Sequence, residues 1–401
     1  MCQKLSVRLV FFSCVLQNDV EFSSVLCTFL SEIKGSVMKN AVKLLCTALL
    51  LLSTFNALAG GKTWAGNHSA ATVDDFLSDL QGTFAIGHRG FGSNLGENPD
   101  KPIENTIAAV VAAYESGVSI VEVDVSITAD GKAVVMHDDY LADLTCVNAL
   151  SYEELRTVRP EIPTLKALLK TAKPYARKYK GSHRQAKRQF KKTGGKLKGS
   201  DLAQGLVMIE IKTPSPLCDA TDSTENALTH AVIKAVRQSR THKQVIIESF
   251  SPAILNKIAN VAPEIPLNLT MTALQFLSEA QIEAATGLPV VLIDKDAGYS
   301  LQWAETGPFY RLPGYESVEQ YLVTAYFAGV SLIALDWAFL AQADQLQPGA
   351  AAALVAQAKQ LGFVVTGYVA DTEQQWQMFE MWGVEGIFTS NVPLGAALQT
   401  R

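Results

Sequence analysis

Eight short runs rich in β-branched and apolar residues recur along the chain, and most successive pairs enclose an Ala- and Leu-rich amphipathic segment. No other feature constrains the fold as much. Strand–helix–strand repetition sets consecutive strands parallel, with helices covering the sheet they form. The runs are Phe84–Gly87, Ile120–Val125, Leu206–Ile211, Val245–Ser249, Leu267–Met271, Ser331–Asp336, Phe363–Val369 and Gly386–Thr389. Helical patterns between them include Thr106–Ser116, Glu225–Ser239, Pro252–Asn260, Ala350–Leu361 and Asp371–Trp382. Eight strands of this kind predict an α/β fold, a (β/α)8 TIM barrel. An open doubly wound sheet is the alternative, but no glycine-rich dinucleotide turn follows the first strand. With 48% hydrophobic and 18% charged residues in 401, the chain has material for so large a core.

Two features interrupt the alternation. Thr128-Ala129-Asp130-Gly131 follows the second strand and leads into Ala133-Val134-Val135-Met136-His137. Asp-Gly between strands marks a β-hairpin, too short for a parallel crossover. Folding there places His137 opposite Glu122 and Val135 opposite Asp124. The second is a basic insertion before the third barrel strand, Lys173 to Lys198. It carries eleven Lys or Arg residues and no acid.

The N-terminus reads as an export signal. From Met38, Lys39 and Lys43 precede the apolar Leu44–Leu52 and then Ala57-Leu58-Ala59, the small-x-small pattern of a cleavage site. The apolar run is short of the roughly 20 residues that span a bilayer. Residues 38–59 are therefore expected to be a signal peptide and 1–37 an over-extended start. The catalytic barrel is expected at 60–401, periplasmic or secreted. Five basic and three acidic groups lie before Gly60, leaving 29 and 36; outside the insertion only 18 basic groups remain. A basic arm on an acidic body fits peripheral contact with anionic membrane, with Tyr175, Tyr179 and Phe190 among the charges. No nucleic-acid partner is expected for an exported protein. Of six cysteines only Cys146 and Cys218 follow Ala59, a pair suited to a disulfide, with two free thiols as the alternative.

The chemistry lies at strand ends. His88-Arg89-Gly90 directly follows the first strand, where a barrel opens its active-site mouth. Glu122 and Asp124 are two apart in a strand and share a face. That face is the interior, because Val121, Val123 and Val125 take the helix-facing side. Glu210 repeats the situation on the next barrel strand. Buried carboxylates are costly unless paired or bound to a cation. Three of them without a cysteine suit Mg²⁺ or Ca²⁺, and salt bridges to Arg89 and Lys212 are the alternative. Phosphodiester hydrolysis needs its anion neutralised, its nucleophile deprotonated and its leaving alkoxide protonated. Two histidines, an arginine and a carboxylate-bound cation meet those needs.

These residues sit in an ordered set of motifs. Ile86-Gly87-His88-Arg89-Gly90, Glu104-Asn105-Thr106, Val121-Glu122-Val123-Asp124-Val125, Thr128-Ala129-Asp130-Gly131 and Val134-Val135-Met136-His137-Asp138 are followed by Pro163-Thr164-Leu165, Ile209-Glu210-Ile211-Lys212, Glu248-Ser249-Phe250 and Gly383 to Pro393. From Phe84 to Pro393 the chain resembles the glycerophosphodiester phosphodiesterase family, of the phosphatidylinositol-phospholipase-C-like superfamily. The resemblance implies His88 and His137 as the acid/base pair, with Glu122, Asp124 and Glu210 as metal ligands. It implies Arg89 as a phosphate ligand, Lys212 as a second contact and Glu104 at the site edge. The products it implies are sn-glycerol 3-phosphate and an alcohol. A phospholipase C- or D-like enzyme acting on intact lipids is the rival reading, and a non-catalytic phosphodiester-binding protein is another. Three departures bear on the mouth: a long 91–103 loop, Thr366-Gly367-Tyr368 in place of a Trp-Thr motif, and the basic insertion. Trp337 is a candidate pocket residue, whereas Trp376 and Trp382 are expected to pack.

Overall fold

Every predicted barrel strand forms, and their alternation decides what faces inward. The computed structural model describes residues 72–400 apart from 79, 179–204, 216, 220–222, 278–289, 293–298, 304–309 and 313. The export signal, residues 1–37 and most of the basic insertion lie outside the described residues.

A short helix, α1 (Val73–Ser78), leads into β1 (Phe84–Gly87). Then come α2 (Ile107–Ser116), β2 (Ile120–Ile127), β3 (Ala133–Val135), α3 (Tyr152–Val158), α4 (Leu165–Lys178) and β4 (Leu206–Ile211). Next are α5 (Glu225–Ser239), β5 (Val245–Ser249), α6 (Pro252–Val261) and β6 (Leu267–Thr270). After an excursion through β7 (Val290–Leu292), β8 (Tyr299–Trp303) and β9 (Tyr310–Leu312) come α7 (Val318–Phe327) and β10 (Leu332–Asp336). The chain ends through α8 (Trp337–Leu346), α9 (Ala350–Gln360), β11 (Val364–Tyr368), α10 (Glu373–Trp382), β12 (Gly386–Thr389) and α11 (Val392–Leu398). The sheet runs β1-β12-β11-β10-β6-β5-β4-β2, and β1 also pairs with β2, which closes eight parallel strands into a barrel.

Local signals set the helix limits. The Thr106 side chain accepts from Ala109 N to open α2, and Gly117 at φ 99° ends it in a left-handed cap. Ser251 and Thr372 open α6 and α10 in the same way. The outer strand faces pack on these helices through Val121, Val123, Val207, Ile209, Val245 and Ile247, all buried. Each such side chain contributes about 1.5–3 kcal/mol on burial. Inside the barrel, the lower half is filled by Phe84, Ile86, Ile120, Leu206, Met208, Ile246, Leu332 and Phe388. Phe76 of α1 joins that cluster, its ring edge-on to Phe84 at 4.9 Å.

The hairpin forms with a register one residue from the expected one. Val135 pairs with Val125, Val134 with Ser126 and Ala133 with Ile127. Residues 128–132 make a loop centred on Asp130: Thr128 N donates to Lys132 O at 3.1 Å and Lys132 N to the Thr128 hydroxyl at 3.1 Å. Met136 N still donates to Asp124 O at 3.0 Å, and in this register His137 is not opposite Glu122.

The antiparallel β7-β8-β9 sheet lies outside the strand–helix alternation and was not anticipated. The first residues of the basic insertion also differ from expectation. They continue α4, where Tyr175 is buried, stacks 4.7 Å from Tyr114 and donates to Glu115, while Lys173 donates to Ser239 O. Those two side chains are committed to packing, so any free basic arm begins beyond Lys178. Cys146 and Cys218 form a disulfide. No helix among the described residues is long and apolar enough to cross a membrane.

Candidate active site

The turn after β1 is tight. Gly90 N donates to Gly87 O at 3.1 Å and to Glu122 O at 2.9 Å. Arg89 and Gly90 are both left-handed, at φ 51° and 85°. A Cβ on Gly90 would lie 2.9 Å from Ala109 Cβ, so only glycine lets the turn sit against α2. The left-handed arginine lies at the mouth of the barrel, and backbone strain of this kind tends to gather at active sites.

This turn aims two groups into the mouth. Arg89 N donates to Glu122 Oε2 at 2.8 Å, and its Nη1 to Glu104 Oε1 at 2.8 Å, while Nε lies 3.7 Å from Asp124 Oδ2. Burial weakens the guanidinium charge, but Asp124 and Glu104 more than restore it and raise the pKa. Glu104 is held in turn by Asn94 N on its Oε2, at 3.0 Å. Asn94 folds the long 91–103 loop by donating to the carbonyls of Asn98, Lys101 and Pro102. That loop is a buttress for Arg89 and is anchored across the mouth by Lys101 Nζ on Ser390 O at 3.0 Å. His88 Nδ1 lies 3.0 Å from Ser390 Oγ. Desolvation and the adjacent Arg89 charge lower its pKa to about 3, so the ring is neutral at ordinary pH.

Opposite, His137 Nδ1 is 2.7 Å from Asp138 Oδ1. That contact orients the ring. Both histidines feel the same Asp124 carboxylate.

The upper barrel interior is acidic. Glu122 and Asp124 on β2 and Glu210 on β4 bring one oxygen each to within 4.8 Å of one another. Glu248 on β5 lies beside Glu210 in register. Burial and mutual repulsion raise the pKa of Glu122 and, against the pull of Lys212, of Glu210. Burial and Glu210 push Glu248 up to about 8. Asp124 goes the other way despite burial, because Lys212, His137 and Arg89 surround it. Asn105 holds Asp124 by two bonds: its Nδ2 donates to the carboxylate Oδ2 at 2.9 Å, and the Asp124 backbone N donates to Asn105 Oδ1 at 3.0 Å.

Lys212 ion-pairs with Asp124, and with Glu210 at 2.9 Å. Part of the alternative reading is therefore present, since two of the three carboxylates have a lysine counter-charge. Glu122 does not share it. Its Oε1 is buried with no hydrogen-bond partner among the described residues. A buried, unpartnered carboxylate oxygen within a three-carboxylate set fits a hard divalent cation. The donors allow Mg²⁺ or Ca²⁺ alike.

Every site residue expected from the sequence meets at this mouth: His88, Arg89, Glu104, Glu122, Asp124, His137, Glu210 and Lys212. Asn105, Ser390 and Glu248 act through partners distant in sequence, Asp124, His88 and Glu210, which no motif reveals, whereas Asp138 bonds its neighbour His137. Trp337 does not line the mouth. It packs 5.3 Å from both Phe379 and Trp382. The aromatic side of the mouth is instead Phe250 and Tyr368, edge-to-face at 6.4 Å, with the Tyr368 hydroxyl donating to Met271 O.

A parallel barrel with a carboxylate cluster, an arginine and two histidines at its C-terminal mouth is the class of barrel that can hold a metal and engage a phosphate. Residues 88–294, more than half of the chain, match the glycerophosphoryl diester phosphodiesterase family, and the chain belongs to that family. A glycerophosphodiester phosphodiesterase of Caldanaerobacter subterraneus subsp. tengcongensis is 30% identical over 188 residues, 47% of this chain and 66% of that protein. A glycerophosphocholine phosphodiesterase of Eremothecium gossypii is 38% identical over 78 residues, 19% of this chain and 6% of that protein. The chain thus spans less than two thirds of the length of either relative. A solved glycerophosphodiester phosphodiesterase from Parabacteroides distasonis superposes with TM-score 0.50 at 17% identity, over 79% of this chain and 96% of that one. That likeness speaks for the fold.

Proposed function

We propose that the protein hydrolyses glycerophosphodiesters to sn-glycerol 3-phosphate and an alcohol, using one divalent cation, Mg²⁺ or Ca²⁺. The convergence of Glu122, Asp124 and Glu210 within 4.8 Å, at the mouth that holds both histidines, carries the reading. Held by these carboxylates, the cation supplies Lewis-acid stabilisation of phosphoryl charge.

The chain's own groups supply the rest. Arg89, braced by Glu104, binds the phosphate anion, and Lys212 adds a second positive charge beside it. His88, kept neutral by desolvation and Arg89, accepts a proton from the water that attacks phosphorus. His137, oriented by Asp138, gives a proton to the departing alkoxide through Nε2. Asn105 keeps Asp124 in place.

The reading extends to location. Residues 38–59 serve as a cleaved signal and 60–401 as one exported catalytic barrel, with 1–37 upstream of the true start. The Cys146–Cys218 disulfide supports an oxidising compartment. The basic residues beyond Lys178 give peripheral contact with anionic membrane, where soluble substrates are released.

Purified protein offered glycerophosphocholine and, separately, intact phosphatidylcholine in mixed micelles tests the activity. Glycerol phosphate from the first and no product from the second is expected. Cleavage of the intact lipid alone would establish the phospholipase reading instead.

A further inference from the structure

The two loops that carry His137 and Lys212 are fastened to each other outside the catalytic cluster. Two residues beyond His137, Asp139 Oδ2 accepts from Ser215 N at 2.8 Å, and Ser215 is three residues beyond Lys212. Asp139 O also accepts from Val147 N at 2.8 Å, which folds its own loop back. Further out, Asn148 Nδ2 donates to Cys218 O at 2.9 Å, and Cys146 is joined covalently to Cys218. A narrow cleft lies between the loops, lined by Asp138, Tyr140, Asn148, Pro214 and Thr224, and it runs to His137 and Lys212. Neither loop has another covalent tether among the described residues, and both cysteines are partly exposed.

We infer that Asp139 and the Cys146–Cys218 disulfide form a two-point clamp that sets His137 against Lys212, making turnover dependent on the oxidised state of the disulfide. The inference rests on the proposed hydrolytic function. Asp139 is a positioning residue: its carboxylate binds the neighbouring loop and not the substrate. The disulfide holds that contact closed. A dithiol reductant delivers two electrons and two protons, leaving two thiols and a cyclic disulfide of the reductant. The loops then part along the cleft, and His137 is no longer held against Lys212. The carboxylates on β2 and β4 are held by the barrel ladder and stay in place.

Steady-state hydrolysis of glycerophosphocholine by the oxidised protein, the dithiothreitol-treated protein, Cys146→Ser/Cys218→Ser, Asp139→Ala and Asp139→Asn tests this. All are assayed well below their unfolding temperatures, with Mn²⁺ binding measured in parallel. The double serine variant and the reduced protein should lose about tenfold in kcat, with KM changed less than threefold and Mn²⁺ affinity unchanged. Asp139→Ala should fall similarly and Asp139→Asn, which keeps an acceptor for Ser215 N, should recover most of the rate. Wild-type kcat in the double serine variant, or equal loss in Asp139→Asn and Asp139→Ala, would overturn the clamp. A purely stabilising disulfide would lower the unfolding temperature and leave kcat alone, which also overturns it. No turnover by the oxidised wild-type protein would instead count against the proposed function.

Discussion

The two halves of the barrel interior are built by the same strands under the same alternation, yet they hold opposite chemistry. On β2, Ile120 points into the lower half and Glu122 and Asp124 into the upper; on β4, Leu206 and Met208 lie below Glu210. The lower half packs apolar side chains and stabilises the fold. The upper half holds four carboxylates: Asp124 and Glu210 are countered by Lys212, while Glu122 and Glu248 each keep a buried oxygen with no hydrogen-bond partner among the described residues. Burying charge without full pairing costs stability. The lower core thus supports an upper interior whose carboxylate cluster could hold a cation.

Substitutions in the upper half should remove function and spare the fold. Removing a metal ligand is expected to have the largest effect. Glu122→Gln and Asp124→Asn should abolish detectable turnover and cation binding by calorimetry, while circular dichroism stays native. His137→Ala and His88→Ala come next, each lowering kcat by about 10²–10⁴-fold, the usual share of a general acid or base. A variant of either histidine with near-normal kcat would remove it from the mechanism.

The lower half should behave in reverse. Phe84→Ala, which vacates the ring packed on Phe76, should cost about 3–5 kcal/mol in denaturant unfolding. The folded fraction should keep its kcat. Loss of turnover without loss of stability would erase the distinction between the halves.

A pH experiment sharpens the comparison. Glu248, raised from 4.5 to about 8, holds a proton in the folded protein that the unfolded chain releases, and Glu122 and Glu210 shift the same way. These carboxylates make the folded state bind more protons, while His88, neutral when folded, opposes them below 6.5. Cation-stripped protein should therefore lose stability most clearly as pH rises from about 6.5 to about 8. A divalent cation displaces those protons and should raise the unfolding temperature most at the alkaline end. A cation effect that shrinks with rising pH would contradict this electrostatic picture.

The smallest effect concerns the surface. Salt-sensitive binding to anionic vesicles should weaken when residues 179–198 become a short neutral linker, at about 1 kcal/mol per cationic side chain near the membrane. Hydrolysis of soluble substrate should not change. Equal vesicle binding by both forms would dismiss the membrane role.

Much of this was legible in the sequence because strand alternation is a local signal. Glu122, Asp124 and Glu210 announced a shared interior by spacing alone, and His88 by its place after β1. The hairpin register slipped by one because loop length depends on the Thr128 hydroxyl bonding to Lys132 N, which composition does not reveal. Tyr175 looked like part of a charged arm until its contact with Tyr114, distant in sequence, placed it in the core. Ser390 beside His88 and the Asp139–Ser215 contact depend on barrel closure and loop crossing. The Cys146–Cys218 bond depends on the same loop crossing: two cysteines in a sequence fix a count, not a distance.

The acidic upper interior is proposed to make this barrel a cation-dependent glycerophosphodiester hydrolase. Phosphorus NMR of glycerophosphocholine with exhaustively chelated protein tests it most directly, with Mg²⁺ or Ca²⁺ then added to the same tube. The account predicts an unchanged diester resonance until the cation is added, and its conversion to sn-glycerol 3-phosphate afterwards. Conversion before the addition, or none after either cation, would contradict it.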